Sequence, residues 1–433
     1  MREAADVHHD ASMNTKIPGN TKAADSGLRV LLVGYNGANN TGAEARLLAV
    51  IEDVRAVLGP SVRITVPAIR EKNLKRYVNE GPDVKIVHLP TIFWPTLRKQ
   101  ARNSDLVMLV EGSTYIDSYT SALLWCYLWA TKCAKESGKA CLAYAVDAGE
   151  MSARNRRNAI REANRTDLII TRSRGAAELL RSLGVNAPLE TTADTAIAYS
   201  PRREDAAFLK RVWPEAERIV GFAMVDFHRL PIVMRPWGKP EDCYKWPFYY
   251  STSPARKRAS ERLAANYAAE CDRIIARHGR SVALICMDEM DAPIAEAVLA
   301  CMTHGEKAKI FCSRDHSASE MTWALRGLDL LVASRYHACV LAMEAGIPMI
   351  AVGHDARLRE LFRDMGLSDG LFLAHDREDL FQRVSGSVDR LLENSSKARK
   401  AVLDCHAAYA RRARRNRDLL REFARARGWE VSG

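Results

Sequence analysis

Two successive series of short apolar runs, separated by helical stretches, constrain this chain more than any other feature. The first begins with Arg29-Val30-Leu31-Leu32-Val33-Gly34 and continues through residues 62–66, 84–89, 106–110, 140–146 and 168–171. Helices are expected between most of these runs, at 41–58 (with Thr41 as its cap), 119–137, 154–163 and 175–183. The rhythm breaks around Tyr199-Ser200-Pro201-Arg202-Arg203-Glu204. A second series starts at Ile219-Val220-Gly221-Phe222 and continues through 282–286, 309–311, 328–333 and 349–352, with helices at 255–278, 292–303 and 319–326. Strands alternating with helices imply βαβ units and parallel sheets. The expected fold class is therefore α/β, with two Rossmann-like domains facing each other across a cleft, over 27–200 and 201–376. A basic C-terminal helix over 377–433 would brace them. Residues 1–26, polar and mixed in charge, are expected to form a disordered leader, without the apolar block of a signal peptide.

At 433 residues the chain is too long for one ordinary core, and its 47% hydrophobic content is ample for two. No apolar run approaches the roughly 18 residues that span a bilayer. The ten cysteines are scattered and never form a Cys-x-x-Cys pair, which points to a reduced, cytoplasmic setting and away from a zinc site. The net charge of +11 is partly local, because Arg411, Arg412, Arg414, Arg415, Arg417, Arg421, Arg425 and Arg427 crowd the last helix. That helix is either a solvated face or a means of attraction to anionic lipid at the inner face of the plasma membrane. Nucleic acid is not an expected partner, since no recognition motif or aromatic platform accompanies the charge.

The chemistry concentrates where apolar runs end. Ser334-Arg335-Tyr336-His337 follows the run at 328–333, and Arg357 follows the next one. Ligands of open α/β sheets bind at the carboxyl ends of strands. A fixed cation two residues from a titratable imidazole, with another arginine at the neighbouring edge, makes a grip for an acidic substrate together with a proton donor. Gly34, Gly37, Asn40 and Gly42 occupy the first strand-to-helix corner, where glycines let a ligand approach the backbone or simply make the turn. The spacing is neither a dinucleotide fingerprint nor a P-loop. Asp226–Pro254 holds Trp237, Trp246, Phe248, Tyr249 and Tyr250 in a long irregular connection, read as a wall for a sugar or lipid-linked acceptor, or as packing across a subunit interface. The acidic loop Met287–Asp291 is more naturally solvated than metal-binding, and no metal site is expected.

On these residues the chain resembles the polysaccharide pyruvyl transferase family, whose members are similar in fold to two-domain glycosyltransferases of the GT-B type. Gly34, Gly37, Asn40, Gly42, Glu44 and Ala45 match its Gly-x-x-Gly-x-x-Asn-x-Gly-Asp-Glu-Ala pattern. Arg172 with Leu179-Leu180 and Leu183-Gly184-Val185, then Asp194, match its next segments. Ser334-Arg335-Tyr336-His337, Ala342, Gly346-Ile347-Pro348, Asp355 and Arg357 match its most specific signature. Ala43 stands where the family usually has aspartate, Ser173 replaces the acid after the arginine, and Arg357 replaces a lysine.

The resemblance implies a transferase that moves the carboxyethylidene unit of phosphoenolpyruvate onto sugar hydroxyls of a polysaccharide or its precursor. No cofactor is expected beyond that donor. Arg172, Arg335 and Arg357, with Gly37, Asn40, Gly42 and Ser334, would bind substrate. His337 would give a proton to the enol carbon or take one from the attacking hydroxyl, and Glu44 would substitute for the acid missing at Ala43. Two other readings stay open. One is a GT-B nucleotide-sugar glycosyltransferase, with Glu344 on the ribose; the other is a non-catalytic glycan-binding member.

Overall fold

The structure is a computed structural model that describes residues 27–118, 120–229, 232–353 and 356–432. The leader expected over 1–26, the helix start at Tyr119, and His354 and Asp355 lie outside the described residues.

The first apolar series forms a seven-stranded parallel sheet: β1 (Arg29–Val33), β2 (Arg63–Ala68), β3 (Val84–His88), β4 (Leu106–Leu109), β5 (Ala140–Val146), β6 (Leu168–Thr171) and β7 (Leu189–Thr191), in spatial order 3-2-1-4-5-6-7. β4 and β5 are buried at every residue, so each side of the strand must be apolar, and that is why they read as unbroken runs. β7 was not expected. Its Leu-Glu-Thr is only partly covered at the sheet edge and carries no such run.

The second lobe opens with β8 (Val220–Ala223). A small antiparallel sheet follows, made of β9 (Ile232–Met234), β10 (Cys243–Lys245) and β11 (Phe248–Tyr250), so the aromatic segment is ordered structure and not an irregular connection. The main sheet then adds β12 (Val282–Cys286), β13 (Ala308–Cys312), β14 (Leu330–Ala333), β15 (Met349–Gly353) and β16 (Phe372–Ala374). Its order is 13-12-8-14-15-16, the same succession as in the first lobe. The chain crosses from one sheet to the other between Thr191 and Val220. In each sheet the order reverses beside the first strand, and a crevice opens at the carboxyl ends there. The two crevices face each other.

The lobes are clamped by two devices. The corner after β1 pairs with the loop after β12: Thr41 N–H donates to the Met287 carbonyl (2.8 Å), Glu289 N–H to the Asn39 carbonyl (3.1 Å), and Asn40 Nδ2 to Asp288 Oδ2 (2.7 Å). Asn39 makes this turn with φ at +56°, a conformation asparagine tolerates better than most residues. The Met287–Asp291 loop is thus an interlobe latch. Arg70 Nη1 reinforces it by pairing with Glu289 at 2.6 Å.

The second clamp is the C-terminal segment, which is two helices, Leu380–Glu393 and Ser396–Arg425, rather than one. Val402, Tyr409 and Ala413 of the longer helix pack in the core of the second lobe, and Leu419, Leu420 and Ala424 in the core of the first. At the crossing Asn416 is fully buried, donating to the Ala193 carbonyl (3.0 Å) and accepting from Thr192 Oγ1 (2.5 Å). Several arginines of this segment are used internally: Arg415 pairs with Glu422, Arg417 with Asp53, Arg421 with Asp418 and, just past the helix end, Arg427 with Asp167. Among the described residues no helix is long and apolar enough to cross a membrane.

Candidate active site

Nearly every wall of the cavity between the lobes is a segment that follows a strand. It has a volume of about 220 Å³. Gly34 and Tyr35 come from the end of β1, Arg70 from β2, Phe93 from beyond β3, and Glu111 and Ser113 from beyond β4. The second lobe contributes Asp288 after β12, Ser334 to His337 after β14, and Arg357 after β15. Ile232, Tyr244 and Phe248 of the small sheet close one side, and the Tyr244 hydroxyl meets that of Tyr35 at 2.8 Å across the lobes. The aromatic insert is therefore a wall of this cavity.

His337 sits where the helix Tyr336–Ala342 begins, with its side chain 17% exposed at the cavity wall and its Nε2 buried. Nε2 lies 3.4 Å from Asp194 Oδ2, a charge contact rather than a well-formed hydrogen bond. On the other side of the ring is Gly42. A Cβ at that position would stand 2.2 Å from Nδ1, so only glycine leaves the ring its place. Burial, with the nearby charges of Arg172 and Arg46, pushes the imidazole below its ordinary value of 6.5, although Asp194 pulls the other way. A carboxylate facing Nε2 favours the tautomer with the proton there, which leaves Nδ1 as the lone-pair nitrogen beside Gly42.

Asp194 is the centre of a buried charge network. Its Oδ2 accepts from Arg172 Nη1 (2.6 Å) and lies 2.9 Å from Arg46 Nη1, while Oδ1 caps the turn Thr195–Ala198 through Ala196 N–H (2.9 Å). Burial alone would raise this carboxyl, but the guanidiniums of Arg46 and Arg172 hold it well below the usual carboxylate range. Arg172 also donates from Nε to Asp147 (3.0 Å), and the Ser173 hydroxyl donates to the same carboxylate (3.0 Å) while capping the helix Arg174–Ser182. An acid at Ser173 would face Asp147 with like charge, so serine suits this network.

The structure brings together four of the expected side chains, His337, Arg335, Arg357 and Ser334, with Asn40 and Gly42 opposite them. Arg335 lines the cavity while Asp291 holds its Nε and Nη2 edge, and burial, opposed by Arg335, raises the Asp291 carboxyl to about 6. Arg172 is a correction. Its side chain is 1% exposed and does not line the cavity; its guanidinium stands 5.1 Å from the ring centre of Tyr336, and that of Arg357 stands 5.9 Å from the same ring. Its neighbour Gly112 is required, since a Cβ there would meet Arg172 Nη1 at 2.4 Å.

Glu44 and Gly37 do not line the cavity either. Glu44 is buried against the second lobe, 3.8 Å from Arg76, with both carboxyl oxygens lacking a hydrogen-bond partner, and burial raises it to about 8. Gly37 turns the chain beside Arg70, and its carbonyl accepts from Asn73 (3.1 Å). Glu344 is half-exposed and pairs with Arg326, away from the cavity. Among the described residues no cluster of three or more metal-ligating side chains occurs. Arg70, Tyr35 and Tyr244 were not anticipated, and Tyr336 was read only as part of the Ser334–His337 stretch, with no role of its own. Arg70 follows β2 as Arg335 follows β14, so the same strand-end rule finds it.

Fold and site together define a two-lobed α/β protein of the GT-B type with its cleft at facing strand ends. Solved structures similar to it include Anabaena HepE in complex with UDP (14% identity, TM-score 0.56, covering 92% of this chain and 100% of that one). The UDP-GlcNAc 2-epimerase of Neisseria meningitidis bound to UDP-GlcNAc is similar at 8% identity and TM-score 0.56, covering 89% of this chain and 98% of that one. A UDP-glucose:anthocyanidin 3-O-glucosyltransferase in complex with UDP matches at 10% identity and TM-score 0.52, over 92% and 99%. At such identities the likeness is one of fold. The sequence has no significant match among curated proteins. The polysaccharide pyruvyl transferase family model matches residues 40–356, most of the chain, and the protein belongs to that family.

Proposed function

We propose that the protein transfers the carboxyethylidene unit of phosphoenolpyruvate to two hydroxyls of a sugar, forming a pyruvate ketal and releasing phosphate. The observation that carries this reading is the position of the family's most specific signature. Arg335, His337 and Arg357 stand on one cavity wall, opposite Gly42 and Arg70 of the other lobe. The donor is small and highly anionic, and guanidiniums grip carboxylate and phosphate in fork geometry. Protonation of the enol at its terminal carbon leaves positive character at the adjacent carbon. A first sugar hydroxyl adds there and loses its proton, phosphate departs with its electron pair, and a second hydroxyl closes the ketal, losing its own proton. His337, neutral near pH 7, suits the removal of a hydroxyl proton through Nδ1. Asp194 is assigned the task of holding the ring. The apolar and aromatic side provided by Phe93, Ile232, Tyr244 and Phe248 suits the face of a sugar acceptor.

The test is incubation of the purified protein with phosphoenolpyruvate and a panel of sugar and lipid-linked sugar acceptors. Phosphate release matched by a carboxyethylidene mass gain on the acceptor supports the reading. Transfer from a UDP-sugar under the same conditions, without phosphate release from phosphoenolpyruvate, overturns it in favour of a glycosyltransferase.

A further inference from the structure

Of the eight large hydrophobic side chains that stand exposed among the described residues, six lie within two residues of one that lines this cavity, and a seventh, Trp237, adjoins Pro236, whose carbonyl accepts from Trp246 Nε1. On the first lobe Ile92 (67% exposed) and Trp94 alternate with the cavity-lining Thr91 and Phe93, and Trp125 precedes the cavity-lining Cys126. On the second lobe Val233 and Met234 continue β9 outward from Ile232, and Trp237 (73%) and Trp246 (64%) flank the sheet whose Tyr244 and Phe248 face inward. Exposed apolar residues scattered singly are ordinary, but concentration around one opening is not. Four of the chain's eight tryptophans lie on this rim. Tryptophan is the side chain that favours the boundary between water and lipid.

Charge runs alongside. In the helix Trp94–Arg102, Leu97 and Ala101 turn inward, while Trp94, Arg98 and Arg102 share the outer strip at four-residue spacing, with Lys99 beside them. None of these three cations has a carboxylate within ion-pair distance among the described residues, unlike Arg412, Arg415, Arg417 and Arg421 of the C-terminal helix. Two acids beside the second-lobe tryptophans are already matched: Glu241 lies 3.9 Å from Lys239, and Asp242 lies 3.4 Å from Lys257.

We propose that this rim is a docking face for an anionic lipid bilayer, seating the cavity mouth at the membrane surface. Tryptophans would enter the headgroup layer while Arg98, Lys99 and Arg102 meet lipid phosphates. A mouth so placed would receive the headgroup of a lipid-linked sugar, a consequence that rests on the transfer reading; the docking does not.

The experiment is co-sedimentation of the full chain with vesicles of phosphatidylglycerol and phosphatidylcholine, and with phosphatidylcholine alone. Selective binding to the anionic vesicles is expected. It should fall at least tenfold in Trp237→Ser/Trp246→Ser and in Arg98→Glu/Lys99→Glu/Arg102→Glu. Both variants should keep the wild-type unfolding midpoint, and the charge variant should keep wild-type turnover of a water-soluble acceptor. Quenching of tryptophan emission by brominated lipid should be lost in the first variant. Absence of vesicle binding by the wild type overturns the proposal without touching the transfer chemistry. Two other results also overturn it. One is binding that survives both variants but is lost in Arg411→Glu/Arg414→Glu/Arg425→Glu. The other is a dimer, seen by sedimentation velocity, that the tryptophan variant converts to monomer.

Discussion

The Nε2 of His337 lies 3.4 Å from the Oδ2 of Asp194, a carboxylate oxygen that also pairs with Arg172 and Arg46. The one imidazole among the described residues that line the cavity is thus tied, through a single buried atom, to two guanidiniums that do not line it. Removing the charge of Asp194 would leave both cations under-compensated in the interior. Asp194→Asn is expected to cost about 3–5 kcal/mol of unfolding free energy, measured by urea denaturation at pH 7. A loss near zero would mean that Asp147 alone balances the pair.

The same network sets the pH response of His337. Burial and the charges of Arg172 and Arg46 lower its pKa, so the ring is neutral at pH 7 and stays neutral below its ordinary 6.5. If it is the base, the acid limb of kcat/KM for phosphate release will fall below pH 6.5. His337→Ala will lose about 10²-fold or more in rate while keeping its unfolding midpoint. An acid limb above 6.5, or unchanged turnover in the variant, assigns the proton transfer elsewhere.

Strand ends were legible in the sequence because doubly covered parallel strands must be apolar throughout, and of the residues read there Asn40, Gly42, Ser334, Arg335, His337 and Arg357 line the cavity while Gly37 and Arg172 do not. What the sequence could not display was competition for the same group. Arg172 follows β6 much as Arg335 follows β14, yet Asp147 and Asp194, 25 and 22 residues away along the chain, claim its guanidinium. Glu44 was misplaced by helix phase. Two residues beyond Gly42 the side chain has rotated by about 200°, so Gly42 faces His337 and Glu44 faces Arg76 and the second lobe. The short edge strands β7 and β16 were missed because partial cover asks for no continuous apolar run.

Gly42→Ala tests the packing of the imidazole directly. The added methyl would overlap Nδ1, Cγ and Cβ of His337 at 2.2–2.7 Å, and the ring must swing away. Alanine favours a helix more than glycine does, by up to about 1 kcal/mol, so the first helix itself is not weakened. The expected result is a loss of at least tenfold in kcat/KM for phosphate release, with circular dichroism unchanged. Full activity in this variant would place the working imidazole edge elsewhere.

Glu44 supplies a pH-dependent term of the opposite sign from Asp194. Its carboxyl is shut away from water, and this burial, only partly offset by Arg76, raises it from 4.5 to about 8. Between those values the folded chain holds a proton that the unfolded chain has released, so stability falls as pH rises through this window and levels off above it. Asp194, whose folded value is depressed, contributes in the other direction, and its stability is lost only as pH falls below its ordinary 3.8. The two windows do not overlap. Glu44→Gln should therefore flatten the stability profile between pH 5 and 8, matching the wild type near pH 5 and exceeding it at pH 8.5. The ceiling on that gain is roughly 5 kcal/mol, since each pH unit between the unfolded and folded values contributes about 1.4 kcal/mol. Urea unfolding of both proteins at pH 5, 7 and 8.5 measures it. Parallel profiles for the two proteins would mean that Glu44 is ionised in the folded state and that Arg76 pairs with it far more strongly than 3.8 Å allows.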